Sequence, residues 1–176
     1  MSKENSVGVY IDIQNLYHSA KHFSGGKINY KMLLDLISEG RTIEFTRGYA
    51  AHKDIKSSKN FYNALKAIGV DVYSKPVIVK HDKTTGSSKV ISVHFDVEIS
   101  VDAMDSAEKT VILCTGNGNF RYLIDNLLEN GFNVEIWSFA DSTSDLLVSK
   151  DHPNYKFKQI PTECLLTVSE KESVSS

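Results

Sequence analysis

The stretch that most constrains this chain is V-G-V-Y-I-D at residues 7–12. Val7, Val9, Tyr10 and Ile11 make an apolar run with no polar alternation. That is the pattern of a strand covered on both faces, as in parallel sheets. A strand of this kind needs a helical layer above and below it. It ends on a carboxylate, Asp12, and Asn15 follows three residues later. In open α/β sheets the ligand crevice lies outside the carboxyl ends of the strands. Asp12 is therefore either a site residue or the cap of the next helix, and its position alone leaves both readings open.

The rest of the chain repeats the alternation. Helical patterns are predicted over Leu16 to Phe23, after Asn29 (a fitting N-cap, with Tyr30, Leu33, Leu34 and Ile37 on one face), over Asn60 to Ile68, over His94 to Ala107, and over Phe120 to Asn130. The fourth carries Val97, Val101 and Met104 on one side. Strand patterns cover Thr42 to Ala50, Val70 to Tyr73, where Pro76 interrupts continuation, Val111 to Cys114, Val134 to Phe139 and Phe157 to Ile160. His52 to Ser58 reads as a basic polar loop, and Ser144 as the cap of a short helix. The pattern predicts a three-layer α/β fold with a mostly parallel central sheet and helices on both faces. One domain over residues 1–160 is expected, with a β-hairpin at 77–93 and a polar, fraying tail at 161–176.

Composition narrows the function classes. No apolar run approaches the roughly 18 residues of a membrane-spanning helix, and residues 1–6 lack a secretory apolar segment. The two cysteines, Cys114 and Cys164, form neither a disulfide framework nor a metal spacing. A cytoplasmic location and no membrane partner are the expectations. The net charge of −2 hides a polarity: residues 41–89 carry ten Lys/Arg against four Asp/Glu, and residues 90–151 carry three against eleven. A basic stretch can hold a polyanion and clustered acids can hold divalent cations, or both can be solvated faces. Lys53, Lys56, Lys59, Lys80, Lys83 and Lys89, interleaved with Tyr62 and Tyr73, fit a flank that contacts single-stranded nucleic acid.

Several chemistries are excluded. Gly116-Asn117-Gly118-Asn119-Phe120-Arg121 lacks the third glycine of a dinucleotide fingerprint and follows a late strand. No G-x-x-x-x-G-K-[ST] and no G-x-S-x-G occurs. Asp12-Ile13-Gln14 lacks the second acid of an aspartyl-phosphate phosphatase. What remains is a set of polar residues at element ends: Asp12, Asn15, Asp96, Thr115, Asn117 and Asn119. Asp102, about 120° round the helix from Asp96, is expected to face elsewhere, and Glu98 and Asp105 to be solvated.

Four pieces, in this order and spacing, resemble the NYN domain of LabA-like proteins, a branch of the PIN-like nucleases. Val9 to Asn15 is similar to that family's I-D-x-x-N, and Phe95 to Asp102 to its V-D-V-x-L-x-x-D. Thr115 to Phe120 is similar to its S-G-D-G-D-F, and Gly131 with Val134 to the G-x-x-V that follows. The resemblance covers residues 6 to 160. It implies a PIN-like sheet and, for active members, Mg2+- or Mn2+-dependent cleavage of RNA. Asp12 and Asp96 match family acids and would be the metal ligands; with Asn117 and Asn119 they would make the catalytic set. Asn15, Thr115, Lys53, Lys56 and Lys59 would contact substrate. The two acids of D-G-D are replaced by Asn117 and Asn119. An amide oxygen can ligate a hard cation but brings no charge, so the cluster falls from about −4 to about −2 and would hold its ion weakly. Two readings stand: a metal-dependent ribonuclease, and a pseudo-nuclease that binds RNA or a protein. A homo-oligomer is also left open.

Overall fold

The computed structural model describes residues 5–24, 27–81, 88–91 and 93–166. Its centre is β1 (Ser6–Asp12), whose first six residues are all buried. β1 pairs in parallel with β3 (Thr42–His52) on one side and β7 (Thr110–Cys114) on the other. β4 (Val70–Pro76) extends the sheet beyond β3; β8 (Asn133–Ser138) and β9 (Tyr155–Gln159) extend it beyond β7. The six-stranded order is β4-β3-β1-β7-β8-β9, and every pairing is parallel.

Two apolar layers cover the sheet. Val7, Val9 and Ile11 of β1 face a layer that contains residues of α1 (Ile13–Ser24), α2 (Tyr30–Ser38) and α3 (Ile55–Ala67). Tyr10 of the same strand faces the opposite layer, built on α4 (Asp96–Met104), α5 (Arg121–Glu129) and α6 (Asp145–Val148). The chain first winds outward from β1 through β3 to β4. It then returns to lay β7, β8 and β9 on the other side. The direction of winding reverses between β1 and β7, and the carboxyl ends of strands at such a reversal are where sheets of this kind form their crevice. Gly8 makes room for the Phe45 ring: a Cβ there would stand 2.5 Å from its Cζ, so the ring would have to shift. Outside the main sheet, β5 (Ile78–His81) and β6 (Ser88–Ile91) pair antiparallel as a separate ribbon, and β2 (Lys27–Ile28) pairs with β10 (Leu165–Leu166).

The sequence pattern missed four local features. The basic loop ends early, because Asp54 caps α3 by accepting from the backbone N–H of Lys56 at 3.1 Å and Ser57 at 3.3 Å. β4 runs on to Pro76, which is tolerated at the end of an edge strand. Fraying does not start at Pro161: Cys164 and Leu165 are buried, and Leu165 pairs with Ile28. Residues 167–176 lie outside the described residues. Lastly, Val97, Val101 and Met104 of α4 are 72%, 58% and 52% exposed. The helix instead buries Ile99 and Ala103, which continue the line of Phe95. Asp102 turns with that face: its Oδ2 accepts from the Tyr49 hydroxyl at 2.5 Å, and its Oδ1 pairs with Arg47 at 3.4 Å. Polar partners fix the rotation of α4 where the apolar stripe does not.

At the other end of the sheet, Arg41 grips Glu135 with two contacts, at 2.8 and 3.1 Å. Glu135 is buried, and Trp137 Nε1 donates to it at 3.3 Å. Burial works against its charge, but Arg41 outweighs burial and holds the carboxyl below its ordinary range. Replacing Arg41 with Met leaves a buried charge without its partner. Chemical denaturation should show a loss of about 3 kcal/mol, with much of it recovered in the Arg41→Met, Glu135→Gln double variant.

Candidate functional site

The crevice at the β1/β7 switch point gathers the six polar residues. Asp12 ends β1, where it caps the next helix and also bonds across to the turn after β7. Its Oδ1 accepts from the backbone N–H of Asn15 at 3.1 Å, capping α1, and its Oδ2 accepts from the Thr115 hydroxyl at 3.3 Å. Asn15 reaches across to β7: its side-chain oxygen accepts from the backbone N–H of Gly116 at 2.7 Å. Thr115 Oγ1 in turn accepts from the backbone N–H of Asn117 at 3.2 Å. The first strand and the Thr115–Asn119 turn are thus tied by side chains from both.

Glycine at 116 permits the turn. A Cβ there would stand 2.8 Å from Ser138 Oγ and 3.1 Å from the Ser142 carbonyl oxygen. The turn is therefore pressed against the end of β8. Ser138 is fully buried behind it, and its hydroxyl has no partner among the described residues. Sequence reading did not single out Ser138, since nothing in a strand-end serine signals a buried hydroxyl.

Asp96 enters from the first turn of α4, where the partial positive charge of the helix N-terminus favours a carboxylate. Both asparagines converge on it. Asn117 Nδ2 lies 3.3 and 3.4 Å from its two oxygens, and Asn119 Nδ2 donates to Oδ2 at 3.0 Å. Asn117 Oδ1 accepts from the backbone N–H of Asn119 at 3.0 Å, which fixes the amide. The asparagines keep the turn and serve as donors to the remaining acid.

The two carboxylates feel one another. Burial pushes the Asp12 carboxyl above its ordinary range and the Asp96 charge adds to the push; the Asn15 N–H, the Thr115 hydroxyl and His94 act against it. His94, two residues before Asp96, is the second neighbour that sequence reading left out. Among the described residues no three His, Cys, Asp or Glu side chains form a metal-holding group. The donor set is two carboxylates with amide and hydroxyl oxygens beside them. That suits one hard cation, which needs only one or two carboxylates when waters and phosphate complete its shell. It does not suit a pair of ions. A cation would relieve both the repulsion and the cost of charging Asp12, and would take the place that the amide N–H groups now hold against Asp96.

The lysines divide. Lys53, Lys56 and Lys59 are exposed, Lys53 between β3 and α3 and the other two on α3, which follows the carboxyl end of β3. Lys80 is exposed on the ribbon. Lys83 and the side chain of Lys89 lie outside the described residues. Tyr62 is not a stacking group: it is buried, against Phe61 and His52. Tyr73 is 46% exposed. Asp102 stands apart from the crevice, and Glu98 is paired with Lys75 rather than solvated alone.

With the geometry in place, comparison with known proteins gives a consistent picture. A model of the NYN domain matches residues 6–156. The fold is similar to a crystal structure of a protein of unknown function, VPA0982 from Vibrio parahaemolyticus RIMD 2210633. The TM-score is 0.77 and the identity 21%, over 94% of this chain and 99% of that one. No curated protein matches. No helix among the described residues is long and apolar enough to cross a membrane.

The raised Asp12 carboxyl makes a stability prediction. A carboxyl with a raised folded-state pKa lowers native stability as pH climbs from its unfolded value through its folded one. Asp12→Asn should therefore raise the thermal midpoint of the metal-free protein at neutral pH. The gain should vanish as pH falls to about 4, where the unfolded-state carboxyl titrates. Differential scanning calorimetry across that range reads it directly.

Proposed function

The chain belongs to the NYN domain family, within the PIN-like superfamily, and on that premise we propose that it is a ribonuclease acting on RNA phosphodiesters with one Mg2+ or Mn2+. Asp12 and Asp96 would hold the ion. The observation that carries this reading is the convergence of both carboxylates with Asn15, Thr115, Asn117 and Asn119 at the β1/β7 switch point. Such an ion, when bound, activates water and offsets charge on the phosphate.

The chain's own residues have separable tasks. Asn15 and Thr115 hold Asp12 and the turn in register. Asn117 fixes the orientation of Asp96. Asn119 is exposed, and a phosphate would reach Asp96 from its side. Lys53, Lys56 and Lys59 supply a cationic flank, suited to the strand leading to the crevice.

A second reading has a specific observation behind it. The amide N–H groups of Asn117 and Asn119 both face Asp96, as donors rather than as ligands. Amides that satisfy Asp96 without an ion suit a pseudo-nuclease that binds RNA or a protein without cutting. Cleavage of a labelled single-stranded RNA in Mg2+, Mn2+ and EDTA separates the two. Cleavage that EDTA, Asp12→Asn and Asp96→Asn each abolish supports the ribonuclease. Binding without cleavage supports the second reading.

Two further outcomes are expected. Binding should weaken linearly in log affinity against log salt, and neutralising Lys53, Lys56 and Lys59 together should reduce that slope by about two to three. Filter binding at several salt concentrations measures it. Asn117→Asp with Asn119→Asp should raise Mg2+ affinity and cleavage together, by about tenfold or more, because each carboxylate adds a unit charge beside the ion. The same variant should be less stable without metal and recover with it. A folded double variant with unchanged metal affinity would refute the electrostatic account.

A further inference from the structure

Tyr73 lies outside the crevice yet on its row. The register sets Asp12 beside Tyr49 and Tyr49 beside Tyr73, so the three side chains leave one face of the sheet. At strand spacings near 4.8 Å, the Tyr73 backbone stands about 10 Å from that of Asp12. Its ring stacks on Tyr49, centroids 5.6 Å apart and planes at 19°. The Arg47 guanidinium lies 5.9 Å from the ring centroid. β4 is an edge strand, and among the described residues no strand pairs with it beyond Tyr73. Tyr49 covers one face of the ring, and Tyr73 is still 46% exposed.

The stack is held firmly. Tyr49 is fully buried, and its hydroxyl donates to Asp102. Its ring packs against Phe95 at 5.9 Å, and Phe95 is the residue before Asp96. The helix that places the second carboxylate therefore also places the support beneath Tyr73. On the same edge Lys75 lies over Phe95 at 4.8 Å and pairs with Glu98, closing the row above Tyr73.

We infer that Tyr73 is a base-stacking subsite for single-stranded RNA. With a phosphate at Asp12 and Asp96, the base of an adjoining nucleotide rests on the face of the Tyr73 ring away from Tyr49, bordered by Arg47. This deepens the RNA reading of the crevice and rests on it. Stacking on an aromatic ring accepts any base, since each has a π-face. Paired bases do not offer that face, so the subsite favours unpaired RNA.

The test uses the full chain, a short labelled oligoadenylate RNA and the same strand with its bases removed. Tyr73→Leu should weaken oligoadenylate binding by about 5- to 100-fold, the range of one base–aromatic stack. Tyr73→Phe, which keeps the ring, should bind as the wild type does. The abasic strand should be bound equally by the wild type and Tyr73→Leu. A readout that needs no variant is an oligoadenylate carrying 2-aminopurine, whose fluorescence should be quenched on binding. Wild-type affinity in Tyr73→Leu, an equal loss on the abasic strand, or binding without quenching would overturn the subsite. If binding nonetheless depends on Asp96, the crevice reading stands without it. If the wild-type chain binds neither strand, both fall.

Discussion

Two carboxylates held at one end of a parallel sheet repel each other, and burial makes charging one of them costlier still. Everything at the crevice answers that constraint. Asp12 is charged only against desolvation and against Asp96. Its oxygens are met by a backbone N–H from its own helix and a hydroxyl from the neighbouring strand. Asp96 sits in the first turn of α4 and receives two side-chain amides. The donors come from α1 and the turn after β7 and the two acceptors from β1 and α4, so the arrangement forms only when all four are in place.

Much of this was legible in the sequence. A strand buried on both faces leaves a recognisable residue pattern, and it identified β1, β7 and β8 with nearly the observed bounds. Polar residues at strand ends could be grouped because a parallel sheet brings distant strand ends to one edge. The winding reversal between β1 and β7 was not legible, since no local pattern reports on which side of β1 a later strand will dock. Asp54 as a cap was missed because it stood amid lysines and serines that read as loop. The fate of Tyr62 and Tyr73 was equally hidden: one lies on the buried face of α3 and the other stands on an edge strand, and both are tyrosines beside polar residues.

The rotation of α4 shows which force prevails when two compete. Val97, Val101 and Met104 form a consistent apolar stripe, yet it faces water. Burying it would turn Asp96 and Asp102 away from their donors. Each would then forgo bonds to charged groups, which are worth more than neutral ones. Exposing three medium-sized side chains costs less than giving up the bonds that Asp96 and Asp102 make. Phe95, Ile99 and Ala103 give the opposite face enough apolar surface to pack.

The asparagines at 117 and 119 fit the same logic. Asp and Asn have nearly the same shape, so the Gly116–Asn119 turn keeps its form under either. Four acids in this space would need a cation to fold comfortably. Two acids and two amides need none, because each amide supplies N–H groups where the cation's charge would otherwise act. Electrostatic self-sufficiency and tight ion binding are therefore opposed at this site: the groups that let the crevice stand alone are those an ion must displace. The side chains that hold Asp96 against repulsion would set how strongly a divalent ion could compete for it, while α4 keeps the carboxylate and the Tyr49–Tyr73 stack in one frame.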